Sequence, residues 1–179
     1  MNGKDFNYSL ALGDLGEQKF VEMMARRSCT SKKLHHVQDF LGKNYEYDYD
    51  VWNSEGGKST FEVKCLAGAS EGGARYHTAV IEAWANDDKT RRPGWMRAVE
   101  ADVLKYVVFF NRHDEAFYSF NAKTLYAFVK AEQYLTNTRT NRDCSGWICK
   151  VRWNDKEAGF LGKSSAAQTD RISSNSVMA

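Results

Sequence analysis

Two apolar runs joined by a short glycine-containing stretch constrain the fold of this chain more than any other feature. The runs cover residues 45–52 and 59–66, and the letters NSEGG lie between them. Two such runs with a short loop of this kind predict a β-hairpin. Charged residues interrupt both runs, because Asp48 and Asp50 lie in the first and Glu62 and Lys64 in the second.

Strand alternation predicts where these charges point. Glu62 and Lys64 share one face of their strand, and Asp48 and Asp50 share one face of theirs. One register of the hairpin places Asp50 beside Glu62 and Lys64. Two close carboxylates are tolerated when a cation lies between them, and such oxygen ligands suit Mg²⁺ or Mn²⁺. The same charges are also typical of a half-solvated antiparallel hairpin, so the pattern alone leaves a structural explanation open.

A helix is predicted over residues 12–27, where apolar residues recur at helical spacing. Glu17 lies in line with Val21 and Met24 on the helical wheel, at the edge of the apolar stripe, so its carboxylate faces the protein. The helix dipole also favours an acid early in a helix, and both explanations remain open for Glu17.

The remaining pattern predicts an α/β fold, a mixed sheet with helices on its faces. Further elements are predicted as strands at 76–84, 106–110, 115–121 and 145–153 and as a second helix at 122–135. We expect a single domain over 1–161. Residues 162–179 are small and polar, and we expect a disordered tail there.

Composition excludes some classes of protein and leaves others open. The 179 residues contain no apolar run of about 18, so no transmembrane helix and no membrane partner are expected. The N-terminus lacks a secretory pattern, which favours the cytoplasm, or the host cytoplasm for a phage protein. A net charge of +2 neither requires nor excludes nucleic acid. The four cysteines match no common zinc spacing, and we expect reduced thiols.

Three segments together suggest a family. A helical glutamate in GDLGEQKFVEMM, an aspartate in YDYDVW and the letters FEVK occur in that order. The set resembles the PD-(D/E)xK nuclease superfamily, which includes restriction endonucleases and Holliday junction resolvases. The resemblance covers about residues 10–110 and implies a restriction-endonuclease-like core. No proline precedes the aspartate here, and Asp48 rivals Asp50 for its role; Asp50 is preferred because apolar strand residues follow it directly.

The resemblance implies a catalytic set of Glu17, Asp50, Glu62 and Lys64. Asp50, Glu62 and the main-chain carbonyl of Val63 would bind Mg²⁺ or Mn²⁺, and Glu17 would act on the metal indirectly. Lys64 would position the attacking water. The implied activity is a Mg²⁺-dependent DNA endonuclease, acting on branched or structured DNA.

Softer parts of the resemblance concern the rest of the chain. Glu82 and Asp102 match later acidic positions of small phage-type members, where Glu82 would be an outer acid of the site, although the strand pattern favours a solvent-facing role for Glu82. Small resolvases are usually dimeric, which implies a homodimer. Basic residues that could contact DNA phosphates are Lys32, Lys33, His35, His36, Arg91, Arg92, Arg139 and Arg142. Each basic group is also typical of an ordinary solvated surface. His77 lies in a strand pattern, where a histidine usually has a structural role.

Two other classes of function stay open at this point. A non-catalytic nucleic-acid-binding module on the same fold would have little use for three acids and a lysine that converge. A structural or interaction protein with an incidental hairpin would show no stabilisation by divalent ions.

Overall fold

The structure is a computed structural model that describes residues 3–34, 38–40, 43–45, 47–66, 76–84, 94–112, 114–131, 138–141 and 144–166. These residues form three helices and eleven strands. The helices are α1 (Gly3–Arg26), α2 (Trp95–Glu100) and α3 (Ala122–Ala131). The strands are β1 (Thr30–Lys33), β2 (Gln38–Phe40), β3 (Lys43–Tyr45), β4 (Tyr49–Trp52), β5 (Lys58–Leu66), β6 (Tyr76–Trp84), β7 (Tyr106–Asn111), β8 (Ala116–Asn121), β9 (Thr138–Asn141), β10 (Cys144–Arg152) and β11 (Phe160–Ser165).

A six-stranded sheet in the order β1-β4-β5-β7-β8-β11 forms the centre of the fold. Strands β5 and β7 are parallel, and every other neighbouring pair in this sheet is antiparallel. The connection from β5 to β7 contains β6 and α2, as a parallel pair requires a crossover. The α/β class and the central mixed sheet with helices are therefore confirmed.

Helices cover both faces of this sheet. Along β7, Val107 and Phe109 pack in one apolar cluster with α2 and α3, whereas Val108 and Phe110 pack in a second cluster with α1. Alternate residues of a strand point to opposite faces, so the two clusters lie on opposite sides of the sheet. Phe20 of α1 is fully buried in the second cluster and contacts the ring of Phe61 at a centroid distance of 5.2 Å.

The hairpin predicted from the two apolar runs is formed by β4 and β5, which pair antiparallel with Asp50 opposite Thr60. Its turn is built around Asn53, whose side-chain oxygen accepts hydrogen bonds from the N–H groups of Glu55 at 3.1 Å and Gly57 at 2.6 Å. Gly56 adopts a φ of +83°, which a residue with a side chain rarely adopts. Local turn chemistry thus explains why this element could be predicted.

Several predicted boundaries differ from those of the structure. Helix α1 begins at Gly3 rather than at residue 12, and β4 begins at Tyr49 rather than at residue 45. Strand β11 extends to Ser165, so residues 162–165 are strand and the predicted tail boundary was wrong. Small polar residues complete β11 because β8 supplies its hydrogen-bond partners. Residues 167–179 of that tail lie outside the described residues.

No helix in the described part of the chain is long and apolar enough to cross a membrane.

Candidate functional site

Glu62 is the most buried acid of the hairpin, with 4% of its surface exposed. Its neighbours Phe61 and Val63 pack towards α1, so Glu62 points to the opposite face of the sheet. Burying a carboxylate is costly unless it is paired. The Nζ atom of Lys64, two residues on and on the same face, lies 2.7 Å from its Oε1 atom. The Glu-x-Lys segment thus forms one buried ion pair.

Asp50 shares the face of Glu62 but has its own partners. The hydroxyl of Tyr47 donates to Oδ1 of Asp50 at 3.1 Å, and Nζ of Lys58 lies 2.8 Å from Oδ2. Asp50 is 8% exposed, so both carboxylate oxygens are engaged within the protein. Burial raises the pKa of Tyr47, and the charge and hydrogen bond of Asp50 raise it further. The Tyr47 hydroxyl therefore stays protonated and remains a donor.

Asp48 departs from the alternation that we predicted for it. It precedes β4, and its N–H donates at 3.0 Å to the carbonyl of Phe61, which is also the residue that pairs with Tyr49. Two consecutive residues thus face one residue of β5, as in a β-bulge. The Oδ2 atom of Asp48 accepts the N–H of Val63 at 2.7 Å. Its carboxylate therefore lies against the main chain of β5, at the peptide bond between Glu62 and Val63.

Glu17 reaches the hairpin because α1 crosses β5 closely at Gly16. A Cβ atom on Gly16 would lie 2.7 Å from Cβ of Cys65, so a larger residue would force the helix away. The next residue, Glu17, accepts a hydrogen bond at Oε2 from the hydroxyl of Tyr49 at 2.9 Å. The same oxygen forms an ion pair with Lys33 of β1. The Glu17 carboxylate therefore faces the protein, which is one of the two explanations that the helix pattern left open.

Acids surround the two groups that bind Glu17. The hydrogen bond to Glu17 raises the pKa of Lys33, and the charges of Glu17, Asp48 and Asp14 raise it further, against partial burial. Burial raises the pKa of Tyr49, followed by the hydrogen bond and charge of Glu17 and the charges of Asp48 and Asp14. Asp48 therefore acts electrostatically on the same two groups that hold Glu17.

The donor chemistry suits a hard cation, because Glu17, Asp48, Asp50 and Glu62 offer carboxylate oxygens. Within the described residues, no three His, Cys, Asp or Glu side chains gather closely enough to hold a metal ion. Instead, Glu17, Asp50 and Glu62 each form an ion pair with the ammonium group of a lysine. A divalent ion would therefore have to replace at least one ammonium group. The expected Mg²⁺ or Mn²⁺ site stays a prediction.

The predicted DNA contacts are described only in part. Lys32 is exposed on β1 opposite Asp50, whereas Lys33 is engaged with Glu17. Asp102 lies after α2 with 67% of its side chain exposed, in an ion pair with Lys105 at 3.0 Å. The other basic residues predicted to contact DNA lie outside the described residues or have side chains that do: His35, His36, Arg91, Arg92, Arg139 and Arg142. The side chains of Glu82 and His77 also lie outside the described part of the chain.

Three groups at this site were missed by the sequence analysis. Tyr47 and Tyr49 bind the acids through their hydroxyls, and Lys58 neutralises Asp50 across the hairpin. The repeat YEYDYD carries a signal for the tyrosines, since aromatic rings with polar tips alternate with acids there. Nothing in the local sequence marks Lys58, whose role depends on hairpin register.

Comparison with known proteins yields little. No protein-family model matches the chain, and no curated protein matches it. Among solved structures, it is similar to a bacterial homing endonuclease, with 18% identity and a TM-score of 0.47 over 66% of this chain and 72% of that chain. At this level the similarity carries no argument about activity.

Proposed function

We propose that this chain is a metal-dependent nuclease of PD-(D/E)xK type that hydrolyses phosphodiester bonds in DNA. The observation that carries the proposal is the buried Glu62–Lys64 pair, on a strand that also receives the carboxylate of Asp48. Glu17 is anchored to the same hairpin through Tyr49. Glu62 and Asp50 thus share one face of the hairpin, and Glu17 contacts the hairpin from α1 on the other face.

In this proposal, Glu62, a hairpin aspartate and the main-chain carbonyl of Val63 would hold a Mg²⁺ or Mn²⁺ ion, and Glu17 would act on it indirectly. Such an ion, when bound, neutralises charge on a phosphate oxygen and favours a hydroxide nucleophile. The hairpin aspartate would be Asp48 or Asp50. A bound cation would have to displace the Lys64 ammonium group from Glu62, and the Lys58 ammonium group as well if Asp50 is the ligand.

Lys64 orients the nucleophile. Its side chain is 30% exposed, so the ammonium group can contact a solvent water while it stays paired with Oε1 of Glu62. Positive charge beside a water molecule favours the deprotonated form, because it stabilises hydroxide. DNA is held through its phosphates by basic groups such as Lys32, and a preference for branched DNA and a homodimeric state belong to the same proposal.

A non-catalytic DNA-binding module is a second candidate. The observation in its favour is that Glu17, Asp50 and Glu62 each already have a lysine partner. A chain with acids neutralised in this way needs no divalent ion to be stable. This candidate predicts DNA binding without cleavage in any divalent metal.

One experiment separates the two candidates. Duplex, single-stranded, flapped and four-way DNA are incubated with the protein and Mg²⁺ or Mn²⁺, and cleavage is measured alongside binding. We expect Glu62→Gln and Lys64→Met to lower the cleavage rate by about a hundredfold or more, as for the loss of a group that stabilises the transition state.

Matched controls come from exposed ion pairs whose side chains do not bind the acids of the hairpin. Glu100→Gln and Lys105→Met remove surface pairs with Arg97 and Asp102, and both variants should cut like the wild type. Cleavage that persists in Glu62→Gln and Lys64→Met would refute the site. Binding without cleavage by the wild type would favour the second candidate.

A further inference from the structure

A partly exposed tryptophan at the end of β4 lies among lysines on one face of the hairpin. We propose that Trp52, Lys32 and Lys58 form a docking surface for single-stranded DNA, on which a base stacks against the indole ring while the lysines contact phosphates. The inference rests on the proposed function, in which DNA is the substrate, and names the form of DNA that this face binds. Binding of this kind requires no metal ion and no cleavage.

Trp52 is a large apolar side chain that belongs to neither of the two apolar clusters formed by the described residues. Its ring is partly buried, and the ammonium group of Lys58 lies over it, 5.7 Å from the ring centroid. Lysines also lie over the rings of Tyr118 and Tyr126, at 5.3 Å in each case, but those two rings pack in the cluster beside α2 and α3. Core packing therefore explains the two tyrosines and leaves Trp52 unexplained.

Register and strand alternation place the lysines and the ring on the same face. Lys32 of β1 lies opposite Asp50 of β4, and Lys58 of β5 lies opposite Trp52. Side chains that lie opposite each other share a face, as do those two residues apart in a strand, so all four lie on the face away from α1. Thr30, on the other side of Trp52, is small and exposed, and β1 is the last strand of the sheet. No bulky side chain of the sheet therefore separates the ring from this edge.

The charge of this face suits a phosphate backbone. Lys58 pairs with Asp50 at 2.8 Å while 43% of the lysine side chain stays exposed, and Lys32 is exposed beside the same carboxylate. Two ammonium groups thus stand against one buried carboxylate, which leaves an excess of positive charge. Glu55, the other acid at this end of the hairpin, lies in the turn rather than on the strands. Phosphate oxygens can therefore contact both lysines without breaking the ion pair with Asp50.

An aromatic ring beside ammonium groups is an arrangement that binds single strands. A base in a duplex is stacked between its neighbours, whereas a base in a single strand can present its π-face to a protein ring. Every base has such a face, so stacking tolerates any sequence. Lysines along the backbone add affinity that falls as the salt concentration rises. We therefore expect this face to prefer single-stranded over duplex DNA, with little dependence on sequence.

The test measures the affinity of the full chain for labelled single-stranded and duplex oligonucleotides of one sequence by fluorescence anisotropy, in EDTA so that no metal-dependent cleavage takes place. The wild type should bind the single strand more tightly. Trp52→Ala should weaken this binding about 5- to 150-fold, the range for the loss of one stacked base, and Trp52→Phe, which keeps a ring, should restore most of it. Lys32→Met should flatten the slope of log affinity against log salt by about 0.7, the value for one phosphate of a single strand.

Helix α3 supplies the control, because Lys130 also lies over a ring and is exposed. Lys130→Met removes the same charge and should leave the affinity and the salt slope at their wild-type values. Tryptophan fluorescence keeps the test decisive if Trp52→Ala does not fold. The chain has five tryptophans, and single-stranded DNA should quench the wild type more than Trp52→Phe, because the stacked ring is the one replaced.

The outcomes separate this inference from the proposed function. Unchanged affinity in Trp52→Ala with an unchanged salt slope in Lys32→Met would overturn the inference alone, provided that the wild type cuts DNA with Mg²⁺ or Mn²⁺. Tighter binding of the duplex by the wild type would also overturn it. Binding of single strands that depends on Trp52, without cleavage in any divalent metal, would support the inference and refute the nuclease.

Discussion

Lys32 and Lys33 are adjacent in β1 but differ in their surroundings. Lys33 forms an ion pair with Glu17, whereas the exposed Lys32 lies opposite Asp50 in the sheet. We expect Lys33→Met to lower the free energy of unfolding at pH 7 by about 0.2–1 kcal/mol, the range for exposed pairs. Lys32→Met, the matched control, should change it less. Urea unfolding of the two variants checks this, and equal effects would show that the Lys33 pair adds no stability.

The same ion pair gives a pH dependence with a definite sign. The pKa of Lys33 is raised in the folded state, chiefly by its hydrogen bond to Glu17. A raised lysine pKa contributes stability that is fully present below the ordinary lysine value and is lost as the pH rises through the folded value. The difference in unfolding free energy between wild type and Lys33→Met should therefore be constant from pH 7 to about 10 and shrink above that. A difference that grows in alkali would contradict this.

At the scale of the elements, the crossing of α1 over β5 decides where Glu17 lies. Gly16 lies at the crossing, where an added Cβ would approach Cβ of Cys65 to 2.7 Å, whereas Gly13, one turn earlier, has no atom within 4 Å of such a Cβ. Helix propensity alone favours alanine over glycine by about 1 kcal/mol at both positions. The two glycines therefore form a matched pair in which only the packing differs.

We expect Gly13→Ala to raise the free energy of unfolding by about 0.5–1 kcal/mol. Gly16→Ala should lower it by about 1–3 kcal/mol, because overpacking at the crossing outweighs the gain in helix propensity. The shift of α1 should also weaken the hydrogen bond between Tyr49 and Glu17 and lower cleavage by the proposed nuclease. Chemical denaturation measures the first effect, and stabilisation by both substitutions would show that the crossing has room to spare.

Elements defined by local signals could be predicted, and those defined by distant partners could not. The turn at Asn53, the strand β6 and the start of α3 follow from neighbouring residues, and the structure confirms them. Strand β11 was missed because its small polar residues become a strand only by pairing with β8. Similarly, Asp48 and Asp50 look alike in the sequence, and only the irregular pairing at Phe61 separates them.

At the scale of the whole molecule, the end of β11 closes the sheet against α1. Ala166 is buried in the same cluster as Phe117 of β8, and its N–H bonds to the carbonyl of Glu115 at 2.7 Å. Arg26 binds the Ala166 carbonyl, and Arg27 donates to Oγ of Ser164 at 2.7 Å. The first helix, which carries Glu17, is therefore tied to the far edge of the central sheet.

A comparison of two shortened chains, one that ends at Ala166 and one that ends at Leu161, tests this closure. The five residues that differ supply strand pairs to β8 and both arginine contacts, so the shorter chain should lose about 3 kcal/mol or more of unfolding free energy. Its melting temperature should fall by about 6–12 °C relative to the longer chain. Ser164→Ala, which removes only the contact with Arg27, should cost about 0.5–1.5 kcal/mol. Equal melting temperatures for the two shortened chains would mean that the fold ends at residue 161, which is the domain boundary predicted from the sequence.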